Sequence, residues 1–218
     1  MSLCITILFS NCVVVSTTET NDFEDKDKSD IFLTSLAANS PADKPEFLWK
    51  EISDGIESCA FFDNASESFC NAVKIELGTE NLEIIASEPE TDENSNTAVF
   101  KAETTKKFAQ NNNAIVAINM TPFNYPAGRL SSKRTLAGVF IKNNIVYAPK
   151  AGRYSALIFF NDKNGNMSAK IIDSQNDIEP DDSIIYAFGG FWTIIKDNLI
   201  IDFASQQKEP RTAAGLMN

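Results

Sequence analysis

Apolar residues in this chain come in short runs, each soon closed by Asn, Asp or Gly, and that rhythm limits the fold more than any other feature. Short runs between turn residues suit strands; a helix needs a stripe sustained at helical spacing. Asn71-Ala72-Val73-Lys74-Ile75-Glu76-Leu77 alternates polar and apolar, the period of a half-buried strand. Residues 82–86 form another such segment, and further strands are expected at 136–141, 145–147, 156–160, 169–172, 184–187, 192–195 and 199–201. Asn143-Asn144 and Asp197-Asn198 have the composition of two-residue hairpin turns, and Asn164-Gly165 is a stronger one. Upstream, Phe47 to Ile52 leads through Asp54-Gly55 into a strand at 56–62.

One helix is expected. Thr104 is a suitable N-cap, and Lys106-Lys107-Phe108-Ala109-Gln110 runs on to the helix-stopping Asn111-Asn112-Asn113. Ala114 to Ile118 is then a continuous apolar run of strand length, as in a strand covered on both faces. Sixteen Phe among 218 residues, with 43% hydrophobic content, supply one domain with its own core. The expected fold class is α+β: a mixed, strand-rich sheet domain with few helices.

The first residues read as an export signal. Leu3 to Phe9 is apolar, the run pauses at Ser10-Asn11-Cys12, and Val13-Val14-Val15 resumes it. That is too short for a mature membrane span and fits the apolar core of a leader. Phe9-Ser10-Asn11-Cys12 resembles a relaxed lipobox, in which Cys12 would carry a lipid after cleavage; a plain secretory leader or a buried N-terminal strand are the alternatives. Residues 16–44 are rich in Ser, Thr, Asp, Glu and Lys and read as a flexible polar tether. The division is therefore 1–15 leader, 16–44 tether and 45–218 folded domain. The expected location is outside the cytoplasm, lipid-anchored at the envelope or secreted. Contact with a membrane is expected only through that anchor. In an oxidising compartment Cys59 and Cys70 are candidates for a disulfide, with two buried thiols as the alternative.

The chain has no histidine, which rules out Ser-His-Asp and Cys-His catalysis and a histidine-ligated zinc centre. Proton transfer falls to carboxylates, Lys, Tyr or Cys. Thirty acidic against nineteen basic side chains give a formal charge of −11, a surface that repels nucleic acid. No acidic spacing specifies a calcium or magnesium site, and the sequence leaves any cofactor open.

Four segments in order carry a family resemblance. They are Trp49 to Glu57; Thr104 to Ala109 with Ala114-Ile115-Val116-Ala117-Ile118-Asn119 and Pro122-Phe123; Ala137-Gly138-Val139-Phe140-Ile141-Lys142-Asn143; and Phe188-Gly189-Gly190 with Pro210-Arg211-Thr212-Ala213-Ala214-Gly215. Together they resemble the phosphodiester glycosidase family, whose arginine signature is similar to this PRTAAG. The resemblance implies a hydrolase that cleaves the glycosidic bond of sugar-1-phosphodiesters. It also implies a further glycine-rich motif beyond the arginine segment, and on that pattern the expected domain is incomplete at its C-terminus. The rival expectations are a non-catalytic surface protein that binds carbohydrate or envelope, and a truncated product without activity.

On this reading Arg211 offers a planar fork to a phosphate, and Thr212 adds a hydroxyl. Asn119 presents an amide at a strand end, and Gly189 and Gly190 let backbone approach a ligand. Arg129 and Arg134 are secondary ligand contacts. Tyr125 and Trp192 are candidates for sugar stacking, with core packing the preferred role for Trp192. Asp173, Asp197 and Asp202 stand near strand ends without one being singled out as acid or base.

Overall fold

The computed structural model describes residues 2–7, 12–17, 47–63, 68–90, 98–128, 130–179, 181, 183–201 and 212–217. Strands make up 51% of it, beside one short helix among the described residues, so the chain adopts the α+β, strand-rich class. Every pairing among the described strands is antiparallel.

One five-stranded sheet runs in the order Ala213–Met217, Ser2–Ile7, Ser68–Glu76, Ile56–Asp63, Lys50–Ser53. A second runs Ile145–Ala148, Phe140–Lys142, Ile184–Gly189, Ala156–Asn161, Met167–Ile172. A four-stranded sheet orders Phe123–Asn124, Lys133–Leu136, Val99–Lys101, Pro89–Glu90, and a three-stranded one orders Leu82–Ala86, Cys12–Thr17, Val116–Asn119. A small hairpin joins Ile195–Lys196 to Leu199–Ile200.

The second five-stranded sheet is buried on both faces, and its alternation divides the core. Phe140, Phe159 and Phe188 enter the larger cluster with Ile56, Ile75 and Ile118. Their strand neighbours Ile141, Ile158 and Ala187 enter the other, with Val139 and Ile178. Successive side chains of a strand point to opposite faces, so near-continuous apolar runs are what such a sheet requires.

Local chemistry explains most boundaries. Asn143 and Asn144 both sit at positive φ (46° and 62°), as do Asp197 and Asn198 (52° and 62°), which is the backbone of a two-residue turn between twisted strands. Thr104 caps the helix Thr105–Asn111, its Oγ1 accepting the Lys107 N–H at 3.2 Å.

Three expectations change. The strand expected at 136–141 is two strands in different sheets, because the backbone turns at Gly138 (φ +147°) between them. Asn164-Gly165 does turn the chain between Ala156–Asn161 and Met167–Ile172, but within a longer loop, residues 162–166, in which Asp162 Oδ1 accepts the N–H groups of Asn164 (2.8 Å) and Asn166 (2.9 Å). That pair of bonds holds the Asp162 carboxyl below its usual range, the Asn166 N–H contributing most. Finally, the strand expected at 192–195 is reduced to Ile195–Lys196, and Trp192 is 47% exposed and stacked on Phe191 at 5.2 Å rather than packed in the core.

The segment read as a leader takes interior positions here. Ser2–Ile7 lies between Ser68–Glu76 and Ala213–Met217, and Cys12–Thr17 between Leu82–Ala86 and Val116–Asn119. A six-residue apolar run has the length of an ordinary strand as well as of a leader core, so its composition serves either use. Beyond Thr17, the expected tether lies outside the described residues up to residue 46. No disulfide joins Cys59 and Cys70. The register sets Cys59 opposite Ala72 and Cys70 opposite Phe61, a diagonal relation that separates the thiols, and burial raises the pKa of both.

Candidate functional site

The strand Val116–Asn119 carries its apolar run inward and ends at Asn119, and Met120-Thr121-Pro122 then leads to Phe123–Asn124. That short strand pairs with Lys133–Leu136, which pairs in turn with Val99–Lys101. Between these elements and the helix lies a cavity of about 60 Å³. Four aromatic residues line it, Phe100, Phe108, Phe140 and Phe188, and its polar lining residues are Ser87, Lys101, Glu103, Thr121 and Arg134. The space takes a small substituent, so the bulk of a larger ligand would rest at the mouth.

Arg134 is held before any ligand arrives. Its Nη1 donates to the carbonyls of Ser131 (2.6 Å) and Lys133 (2.8 Å), and its guanidinium lies 4.3 Å from the Tyr125 ring centroid and 5.5 Å from that of Phe123. Its Nε is buried and has no acceptor among the described residues. Thr121 Oγ1 and, two residues before it, Asn119 Oδ1, an acceptor without a donor, are likewise buried and without a partner among the described residues, on residues only 8% and 9% exposed. Leaving a buried polar group unpaired costs about 1–3 kcal/mol. A ligand that accepts from Arg134 and pairs with Thr121 would recover that cost, and this is the form a preorganised polar subsite takes.

Glu103 stands immediately before the N-cap. Its Oε1 accepts from Asn111 Nδ2 at 2.7 Å, across the length of the helix, and lies 4.0 Å from Lys107 Nζ. The side chain is 26% exposed, so it is fixed against the helix rather than free in solvent.

The structure separates the residues expected to act together. Asn119 lies at the strand end beside the cavity, and its backbone is the register partner of Cys12. The side chain of Cys12 lies outside the described structure, as do Arg129, Asp202 and Arg211. Thr212 precedes Ala213–Met217 and is not part of the cavity wall. Gly189 and Gly190 do not line it either, although Phe188 does. A Cβ on Gly189 would come within 2.9 Å of Gln175 Nε2, 3.0 Å of Val139 N and 3.2 Å of Gly138 C, so close backbone packing accounts for this glycine. Tyr125 contributes by holding Arg134.

Among the carboxylates considered from sequence, Asp173 is engaged elsewhere. Lys196 and Thr193 both bond it, Thr193 Oγ1 at 2.7 Å, and these bonds lower its pKa, Lys196 first. Whatever that pair adds to stability is present above the ordinary carboxylate pKa and lost as pH falls through the lowered one. Asp197 occupies its turn. Thr121 and Glu103 were not legible as site residues: the first lies two residues beyond the strand end at Asn119, and the second carries no signal in the sequence. Among the described residues no group of three or more His, Cys, Asp or Glu side chains gathers to hold a metal, and no helix is long and apolar enough to cross a membrane.

Comparison with protein families, with curated proteins and with solved structures finds no match to this chain.

Proposed function

We propose that this protein hydrolyses the glycosidic bond of sugar-1-phosphodiesters, and that the aromatic-lined cavity beside Arg134 is where it does so. The observation that carries the reading is that two buried, unpaired polar atoms, Thr121 Oγ1 and Arg134 Nε, belong to residues lining one cavity. Hydroxyl and guanidinium groups are what a sugar phosphate diester needs as partners, and an apolar lining strengthens both by excluding water. The wall is also built from the segment ending in Asn119 and Pro122-Phe123, one of those that resemble the phosphodiester glycosidase family. Beside those donors the cavity lining also holds a carboxylate residue, Glu103, a group that hydrolysis can use and simple anion capture does not need.

The test is incubation of the purified chain with a panel of hexose-1-phosphate methyl diesters, reading free reducing sugar. Release from at least one diester is expected. Binding without release from any of them supports the second reading, a surface module that holds carbohydrate without cleaving it. That reading draws on the exposed Phe191–Trp192 stack, with Tyr154 set edge-on to both rings.

The proposal places the protein outside the cytoplasm, lipid-anchored through Cys12 or secreted, on the strength of the apolar run at residues 3–15 and the polar segment after it. Removing that run would also remove Ser2–Ile7 from its sheet. The intact mass of the protein recovered from the cell envelope reads directly whether those residues remain.

A further inference from the structure

Resting on that hydrolase reading, we propose that Glu103 is the general base of the site, taking a proton from the water that attacks the anomeric carbon. Most glycosidases need two carboxylates, because the departing alkoxide must be protonated while a second group activates water or attacks the sugar. A sugar-1-phosphodiester differs in its leaving group. The departing oxygen belongs to a phosphate monoester, which is stable as an anion, so the acid's duty falls away and one carboxylate suffices. Among the described residues, Glu103 is the carboxylate on the cavity wall.

Its setting fits the duty. Asn111 Nδ2 fixes Oε1 at 2.7 Å, which orients the carboxyl plane and leaves Oε2 as the oxygen to receive the proton. Arg134 lines the same cavity, suited to the charge that gathers on the leaving phosphate. In the step, water oxygen bonds to the anomeric carbon as the bond from that carbon to the phosphate oxygen breaks. The bonding pair stays on phosphate, and the water proton passes to Glu103 and then to solvent. The products are a free sugar and a phosphate monoester.

A purely structural Glu103 would tie the start of the helix to its end, through Asn111 and Lys107. Glu103→Gln separates the two roles, because its carbonyl oxygen still accepts from Asn111 while the base is gone. Positioned general bases contribute about 10²–10⁴-fold, so kcat on a released diester should fall by that factor with KM and melting temperature nearly unchanged. Glu103→Ala should be equally slow and should regain rate on addition of formate, a small carboxylate able to occupy the vacated space. An active wild type beside a Glu103→Gln variant within about threefold of it in kcat overturns the assignment and leaves the hydrolase reading standing. A well-folded wild type that releases sugar from no diester overturns both.

Discussion

A Gln175→Leu chain should unfold about 3–5 kcal/mol more readily than the wild type in urea titrations, the largest loss expected from any single polar side chain here. Gln175 is completely buried, 0% exposed, yet both its amide oxygen and its amide nitrogen are bonded. Oε1 accepts the N–H groups of Val139 (2.9 Å) and Ala151 (2.7 Å), and Nε2 donates to the Ser155 carbonyl at 3.1 Å. One side chain therefore bonds three backbone groups from two segments, Val139 and the 149–155 loop. Leucine has nearly the same volume, so the cavity contribution is small. The cost comes from the Val139 and Ala151 N–H groups left without partners, at about 1–3 kcal/mol each, while the Ser155 carbonyl keeps the Gly190 N–H at 2.8 Å. A loss under about 1 kcal/mol would mean that the amide is not the clasp the geometry makes it.

Arg134→Ala should weaken binding of a sugar-1-phosphate diester by roughly 10–100-fold in calorimetric titration, the span expected for a charge-assisted hydrogen bond to phosphate. The fold should survive, since among the described residues the guanidinium is tied only to neighbouring carbonyls and to the Tyr125 and Phe123 rings. Arg134→Lys should fall between the two proteins, because it keeps the charge and loses the planar fork. Equal affinity of all three would remove Arg134 from the site.

Local chemistry made much of the fold readable in advance. The paired Asn143-Asn144 and Asp197-Asn198 announced their turns because left-handed backbone selects those residues, and Thr104 announced the helix start because it is an N-cap. What escaped was set by distant neighbours. Nothing near Gly138 in sequence says that Gln175 will press against it and that the chain will change sheets there. Gly189 was read as an opening for a ligand, whereas the atoms it spares belong to Gln175, Val139 and Gly138. The apolar run at residues 2–7 has one composition and two uses, so only strand pairing distinguishes them.

The candidate site divides in the same way. Asn119 was visible as a polar residue closing an apolar strand. Thr121 and Glu103 became visible only when the strand end, the helix and the Arg134 strand met around one cavity. Trp192, expected in the core, is exposed because the residues after Gly190 leave the sheet.

The central claim is the position of the site, and amide chemical-shift mapping tests it most directly. On titration of the isotope-labelled chain with a hexose-1-phosphate methyl diester, the signals of Ala102, Glu103, Met120, Thr121 and Arg134 should move together and saturate at one affinity. Saturable shifts confined to the Phe191–Lys196 surface, with the Thr121 and Arg134 signals unmoved, would contradict it.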